Sequence, residues 1–305
     1  MQAAVPEAGV GRGMDAVVNE VVHGEKPGTA PAASVGVDLG ATLAKIAYVD
    51  AAGELLFESI PTAQIEALKL RIESLSPATI GLTGAGAVRL GEMLEAPSTR
   101  HDEFAAWGEG GRRLLIRDGS AHEERSLLVS IGTGTSVLLM DGATTTRVGG
   151  TALGGGTILG LASAILKTTD FEHVCRLAAS GERAQVDLVV SDIYKPGEIA
   201  LPNELTAASF GKLGLSLNDD QVHKPEHLAA AILGLVGENI GLICAGLSYA
   251  TQVEQIVYAG STLRNNTVLR NILESITMNA GRRPLFLSNG DFSGATGALF
   301  LSADC

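Results

Sequence analysis

Between residues 127 and 161 the chain reads LLVSIGTGTSVLLMDGATTTRVGGTALGGGTILGL, and no other stretch so narrows what it can fold into. The apolar run 127–131 predicts a short buried strand. It is cut by Gly132-Thr133-Gly134-Thr135-Ser136, and a second apolar run covers 137–140. Asp141-Gly142 reads as a hairpin turn, because both residue types tolerate positive φ. The return strand, 144–148, carries Arg147; then come Gly149-Gly150 and Gly154-Gly155-Gly156, and Thr157 opens a helical pattern through Leu166. Glycine lets backbone approach a ligand closely, and N–H groups at a turn or helix start attract anions. Thr133, Thr135 and Ser136 add hydroxyl donors. One glycine pair alone signals no more than a tight hairpin. Two glycine-rich turns flanking a single arginine predict a binding site.

The 305 residues, 46% apolar and 18% charged, suffice for a large core and two lobes. A net charge of -12 argues against nucleic acid or an anionic membrane as the main partner. It leaves room for a phosphorylated ligand, which local donors bind whatever the overall charge. Cys175, Cys244 and Cys305 show no C-x-x-C spacing, so neither a zinc site nor a disulfide framework is indicated, and a reducing, cytoplasmic setting is expected. Residues 1–33 carry Glu7, Arg12, Asp15, Glu20 and Glu25 with no apolar run between them. They read as a flexible extension rather than a secretory leader. The apolar span 228–250 is interrupted by Glu238, Asn239 and four glycines, which favours a buried helix, or one packed on a second subunit, over a membrane span.

The folded part opens with expected strands at 35–38, 43–49 and 54–59, joined first by Leu39-Gly40-Ala41-Thr42. Three antiparallel strands whose first turn carries Asp38, Gly40 and Thr42 suggest an actin-like ATPase core. There the turn's N–H groups and the threonine hydroxyl face nucleotide phosphates, and the aspartate holds Mg²⁺ through water. Lys45 is placed to neutralise phosphate charge. A helix over 62–75, a strand at 79–83, the turn Gly84-Ala85-Gly86-Ala87 and a helix to 94 continue in α/β alternation. His101-Asp102-Glu103-Phe104 precedes a helix to about residue 116. Glu103 is either a complement to the helix dipole or a general base for a substrate hydroxyl. Asp102 competes for the cap and His101 for the base. Asp170 is expected to cap a helix over 171–180. A short strand is expected at 187–192 and a short helix at 205–210. His223 and His227 lack an accompanying carboxylate motif and are not assigned a metal. A strand at 255–258 ends in Ala259-Gly260-Ser261-Thr262, a further backbone surface for nucleotide. A helix over 265–280, a strand at 284–287 and a closing helix to 301 complete the chain.

Asp38-Leu-Gly-Ala-Thr42, Ser130-Ile-Gly-Thr-Gly-Thr135 and Ala259-Gly260-Ser261 stand in the order an actin-like kinase needs. With Glu103-Phe104, Arg147-Val-Gly-Gly-Thr-Ala-Leu-Gly-Gly-Gly156, Asp187-Leu188, Leu205-Thr-Ala-Ala-Ser-Phe-Gly211 and Asn289-Gly-Asp-Phe-Ser-Gly-Ala295, the chain from about Ser34 to Leu301 resembles type II pantothenate kinases. The resemblance implies an α/β fold of two actin-like (ribonuclease H-like) lobes, mixed sheets flanked by helices, with the active site in the cleft. The lobes are expected at 34–125 and 126–305. It implies ATP-dependent phosphorylation of pantothenate, Mg²⁺, a homodimer, and coenzyme A or acyl-coenzyme A as a regulator. By resemblance Asp38, Gly40, Ala41, Thr42 and Lys45 line the ATP phosphates, Glu103 is the base, and Thr133 and Arg147 hold the substrate. Thr133 with Gly155, Gly156, Thr157, Ile158, Leu159, Phe171 and Ser261 completes the nucleotide site. Ala41 stands where the family usually has a second glycine; a left-handed backbone there would cost about 1 kcal/mol.

Two other readings use the same residues. One is a kinase for a sugar or amino sugar on the shared scaffold, which an arginine suited to an anionic substrate opposes. The other is a non-catalytic coenzyme A sensor, motivated by Ala41 and Ala85 replacing glycines.

Overall fold

A computed structural model describes residues 34–120, 123–215 and 223–303; the expected extension, 1–33, and Cys305 lie outside the described residues. The chain starts with a meander of β1 (Ser34–Leu39), β2 (Leu43–Val49) and β3 (Leu55–Pro61), all antiparallel. Helix α1 (Ile65–Ser74) leads to β4 (Thr79–Thr83), and α2 (Ala87–Met93) to β5 (Ser98–Arg100), which extend the sheet in parallel beyond β1. The result is a five-stranded mixed sheet, β3-β2-β1-β4-β5. Helix α3 (Glu103–Arg117) then carries the chain to a second meander, β6 (Arg125–Ile131), β7 (Thr135–Asp141) and β8 (Thr144–Thr151). Helices α4 (Gly155–Leu166) and α5 (Phe171–Ser180) follow. A two-stranded ribbon, β9 (Leu188–Val189) and β10 (Thr206–Ala208), is interleaved with the short helices α6 (Val190–Ile193) and α7 (Gly211–Leu215). Then come α8 (Pro225–Thr251), β11 (Gln255–Ala259), α9 (Thr267–Asn279), β12 (Arg283–Phe286) and α10 (Ser293–Ala303). The second sheet runs β12-β11-β6-β7-β8. It repeats the first strand for strand, a meander with two parallel strands added beside its first member.

Alternation along β6 explains how the second sheet is covered. Leu127, Val129 and Ile131 join the core with Ile158, Ile232, Leu233 and Leu269 from α4, α8 and α9. Leu128 joins Trp107, Leu114 and Leu115 of α3 on the other face. In the first sheet Val35, Val37 and Leu39 pack with Ile65, Leu68 and Leu90 of α1 and α2. Its opposite face is covered by α10, whose Ala295 and Leu299 pack with Ala47 of β2. The last helix of the chain therefore seals the first sheet. It also crosses α3 so closely that a Cβ on Gly297 would lie 1.8 Å from the carbonyl oxygen of Ala106. Phe57 of β3 stacks on Phe292 just before α10, with ring centroids 4.8 Å apart.

Two local expectations change, and one strand appears that none announced. Residues 205–210 do not form a helix: β10 lies there, paired antiparallel with β9. Val190 N–H donates to Leu205 C=O and Asp187 Oδ1 accepts from Phe210 N–H, so tertiary partners override helical spacing. The strand expected over 187–192 is cut to Leu188–Val189, because Asp192 accepts the Val189 N–H and starts α6. Strand β5 had no apolar alternation to announce it; it is a short edge with two of its three residues exposed.

Helix α8 is the expected apolar helix and two-thirds of its most apolar window is buried. Glu238 at its middle accepts from Arg183, which also holds the fully buried Asp187. A charge amid apolar residues is thus paired rather than stranded. His227 accepts the Glu182 N–H at 2.9 Å through Nδ1, a structural duty.

Candidate active site

The two lobes bring four glycine-bearing turns to one cavity of about 780 Å³. The turn between β1 and β2 is tight, with Gly40 N–H donating to Leu43 C=O. Thr62 clamps it from behind: its hydroxyl donates to Gly40 C=O at 2.8 Å and its N–H to Thr42 C=O at 2.9 Å. Ala41 lies outside the left-handed region, so the strain anticipated for it does not arise, and it is exposed at the mouth.

Asp38 and Lys45 are register partners across β1 and β2. Both are buried, and Lys45 Nζ lies 3.9 Å from Asp38 Oδ2. Backbone hems the carboxylate in. A Cβ on Gly84, where φ is +87°, would sit 2.7 Å from Oδ1, and one on Gly294 would sit 2.5 Å from Oδ2. Burial raises the Asp38 pKa, and the nearby Lys45 charge opposes the rise.

At the start of α3 the two adjacent carboxylates divide. Asp102 is the cap, its Oδ1 accepting from Phe104 and Ala105 N–H groups at 3.0 Å. Glu103 lines the cavity instead. Its pKa is raised by desolvation first, then by the charges of Asp38 and Asp102, against a lowering by Lys45. His101 leaves the contest for base: its Nε2 is 2.6 Å from Ser302 Oγ on α10.

The second lobe contributes Thr133, Ser136, Arg147, Gly155, Gly156, Leu159, Phe171 and Ser261 to the same cavity. A bulge at Val148, where register shifts between Val137 and Leu138, turns β8 beside Arg147. Among the described residues no carboxylate pairs with Arg147. Asp170 caps α5 through His173 N–H, as expected, and so sets Phe171 at the cavity wall. Two backbone donors expected to cradle an anion are already used. Gly155 N–H donates to Gly132 C=O at 2.8 Å and Gly156 N–H to Thr133 C=O at 3.0 Å, which lock the two glycine-rich turns together. Thr262 Oγ1 donates to Gly132 C=O at 2.9 Å and ties in the third turn. Thr135, expected as a ligand donor, gives its hydroxyl to Leu153 C=O.

Of the fifteen residues that the resemblance assigns to the site, thirteen lie on the cavity: Asp38, Gly40, Ala41, Thr42, Lys45, Glu103, Thr133, Arg147, Gly155, Gly156, Leu159, Phe171 and Ser261. Thr157 and Ile158 do not line it. Ile158 is wholly buried in the second lobe, and the Thr157 hydroxyl bonds Ala152 C=O and Gly154 N–H to fix the helix start. Sequence reading missed Trp107, although its spacing of four from Glu103 puts both on one helix face. It also missed Thr62, which no motif marks.

Asp38 is one buried carboxylate, and no group of three or more His, Cys, Asp or Glu side chains able to hold a metal occurs among the described residues. That donor set fits a hard cation carried in with phosphate oxygens and water, not a resident ion held by protein alone.

The Fumble family model matches residues 120–301. Type II pantothenate kinase from Staphylococcus haemolyticus is 36% identical over 268 residues, 88% of this chain and 99% of that protein. The Staphylococcus aureus type II pantothenate kinase is 35% identical over 88% of this chain and 98% of its own length. Among solved structures, component A of the Acidaminococcus fermentans (R)-2-hydroxyglutaryl-CoA dehydratase superposes with a TM-score of 0.59 at 17% identity, covering 89% of this chain and 97% of that one. A ROK family glucokinase from Streptomyces griseus, solved with glucose and AMPPNP, gives 0.55 at 13%, covering 89% and 99%. These structures establish the actin-like, two-sheet fold alone. The sequence likeness, spanning nearly the whole of each relative, shows that the chain belongs to the type II pantothenate kinase family.

Proposed function

We propose that this protein transfers the γ-phosphoryl group of ATP to the primary hydroxyl of pantothenate, the first step of coenzyme A synthesis. The observation that carries the reading is convergence. Asp38, Lys45, Glu103 and Arg147, from four elements in both lobes, open on one cavity.

Phosphoryl transfer asks little covalent chemistry of a protein; it needs in-line placement and charge neutralisation. Lys45 and the Thr42 and Thr133 hydroxyls face the phosphate oxygens. Mg²⁺ bound to the nucleotide would neutralise phosphate charge, with Asp38 the residue to hold it through water. Glu103 takes the proton of the substrate hydroxyl as the oxygen attacks the γ-phosphorus and ADP leaves. A raised carboxylate pKa suits a base that must accept that proton. Arg147, with no carboxylate partner among the described residues, is the partner for the substrate's own carboxylate in a two-pronged pair. Leu159, Phe171 and Ser261 flank the space for the adenosine end.

The coenzyme A sensor drew its motive from Ala41 and Ala85, and neither position is left-handed. Exposed Leu242 and Tyr249 on α8 support the homodimer that the resemblance implies. The buried thiols of Cys175 and Cys244 suit a reducing cytoplasm. Coenzyme A or acyl-coenzyme A as a regulator belongs to the same proposal. Phosphorus NMR of a reaction with ATP and pantothenate tests the chemistry: a pantothenate-dependent phosphomonoester signal is expected, and ATP left intact contradicts the proposal.

A further inference from the structure

Trp107 is an aromatic wall of the cavity that the reaction scheme leaves unused. It is the single tryptophan of the chain, one helical turn beyond Glu103, and 7% exposed. It packs in a cluster with Leu114, Leu115, Leu128 and Val257, which any large apolar side chain could do. Its other contacts are more particular. The Lys45 ammonium lies over the ring, 5.7 Å from the centroid. A Cβ on Gly294 would meet both Asp38 Oδ2, at 2.5 Å, and Trp107 Nε1, at 3.0 Å, so the indole edge and the carboxylate crowd one small volume.

The distance between the charges matters here. Lys45 Nζ is 3.9 Å from Asp38 Oδ2, beyond a charge-assisted hydrogen bond, although both groups are buried and opposite in sign. A closed pair would bind the ammonium to an acceptor it would have to leave before meeting a phosphate. The ring face attracts the cation through its quadrupole without supplying an oxygen acceptor. We infer that Trp107 is a positioning residue for ATP: its ring holds the Lys45 ammonium short of a closed pair with Asp38 and keeps its N–H donors for phosphate oxygens. This rests on the kinase reading.

Calorimetric titration of ATP with Mg²⁺, with no acceptor present, tests it in wild type, Trp107→Phe, Trp107→Leu, Lys45→Met and the Trp107→Leu/Lys45→Met double variant. Trp107→Leu is expected to weaken ATP by roughly 3- to 30-fold, whereas Trp107→Phe, which keeps an aromatic face, stays within about 3-fold. In the Lys45→Met background Trp107→Leu changes affinity by less than about 2-fold, because the ring then has no cation to hold. Equal losses in both backgrounds, or Phe as poor as Leu, would overturn the inference in favour of packing alone. Should Trp107→Leu fail to fold, wild-type fluorescence still decides. Phosphate oxygens that meet the ammonium held over the ring change the field at the indole and shift the emission of this lone tryptophan, and unchanged emission at calorimetric saturation refutes the role. ATP binding coupled as described but with no acceptor phosphorylated sinks the reaction and spares this inference; turnover of pantothenate without the coupling does the reverse.

Discussion

Asp102 and Glu103 are successive carboxylates at one helix start, yet one accepts two backbone N–H groups and the other faces the cavity. Glu103→Gln is therefore expected to fold and bind ATP while kcat falls by roughly 10²- to 10⁴-fold. ATP affinity by calorimetry beside steady-state turnover checks this, and full turnover removes Glu103 from the chemistry. The raised pKa also sets a sign. Folded Glu103 and Asp38 hold their protons more tightly than the unfolded chain does. The ligand-free protein thus loses stability as pH rises from the unfolded carboxylate value, about 4, through the folded ones. Above that window the cost is full, so Glu103→Gln should melt no lower than wild type at pH 7.5. The kcat/KM profile should show an acid limb above the ordinary glutamate value, absent from the residual activity of the glutamine variant. Arg147→Leu should raise KM for pantothenate by about 30-fold or more while the Kd for ATP stays within about 2-fold. A matching loss for ATP would place Arg147 on the wrong ligand.

Elements follow a coarser logic. Strands announced by apolar runs, such as β6 and β11, and helices with clear caps, such as α5 behind Asp170, are legible because their signals are local. The ribbon of β9 and β10 is not: its pairing depends on Asp187 accepting from Phe210 N–H and on Arg183 bridging Asp187 to Glu238, 55 residues downstream of the arginine. Cavity residues in motifs, such as Asp38, Thr133 and Arg147, were readable for the same reason. Thr62 and Trp107 act across strands and helices, and periodicity shows which face they share but not what crosses it. Helix α10 gives a direct element-scale test. Its Gly297 touches the Ala106 carbonyl, backbone against backbone, and no side chain can yield. Gly297→Ala should destabilise by about 3 kcal/mol or more and separate α10 from α3. Urea denaturation measures it, and a change under about 0.5 kcal/mol would mean that the crossing is looser than described.

The whole molecule is two copies of one strand plan with a cavity between them; α3 joins the copies, and the last helix covers the first sheet. The first copy supplies Asp38 and Lys45, the second Thr133 and Arg147, and α3 between them supplies Glu103. Solved structures with this scaffold include a sugar kinase, so architecture alone does not choose the acceptor, and the choice is proposed to rest on Arg147. The decisive measurement is coupled ADP release with pantothenate, its neutral alcohol analogue pantothenol, glucose and N-acetylglucosamine offered in turn. The account predicts rapid ADP release with pantothenate, roughly 30-fold or more lower kcat/KM with pantothenol, and none above background with either sugar. Sugar-dependent release with no response to pantothenate would contradict it.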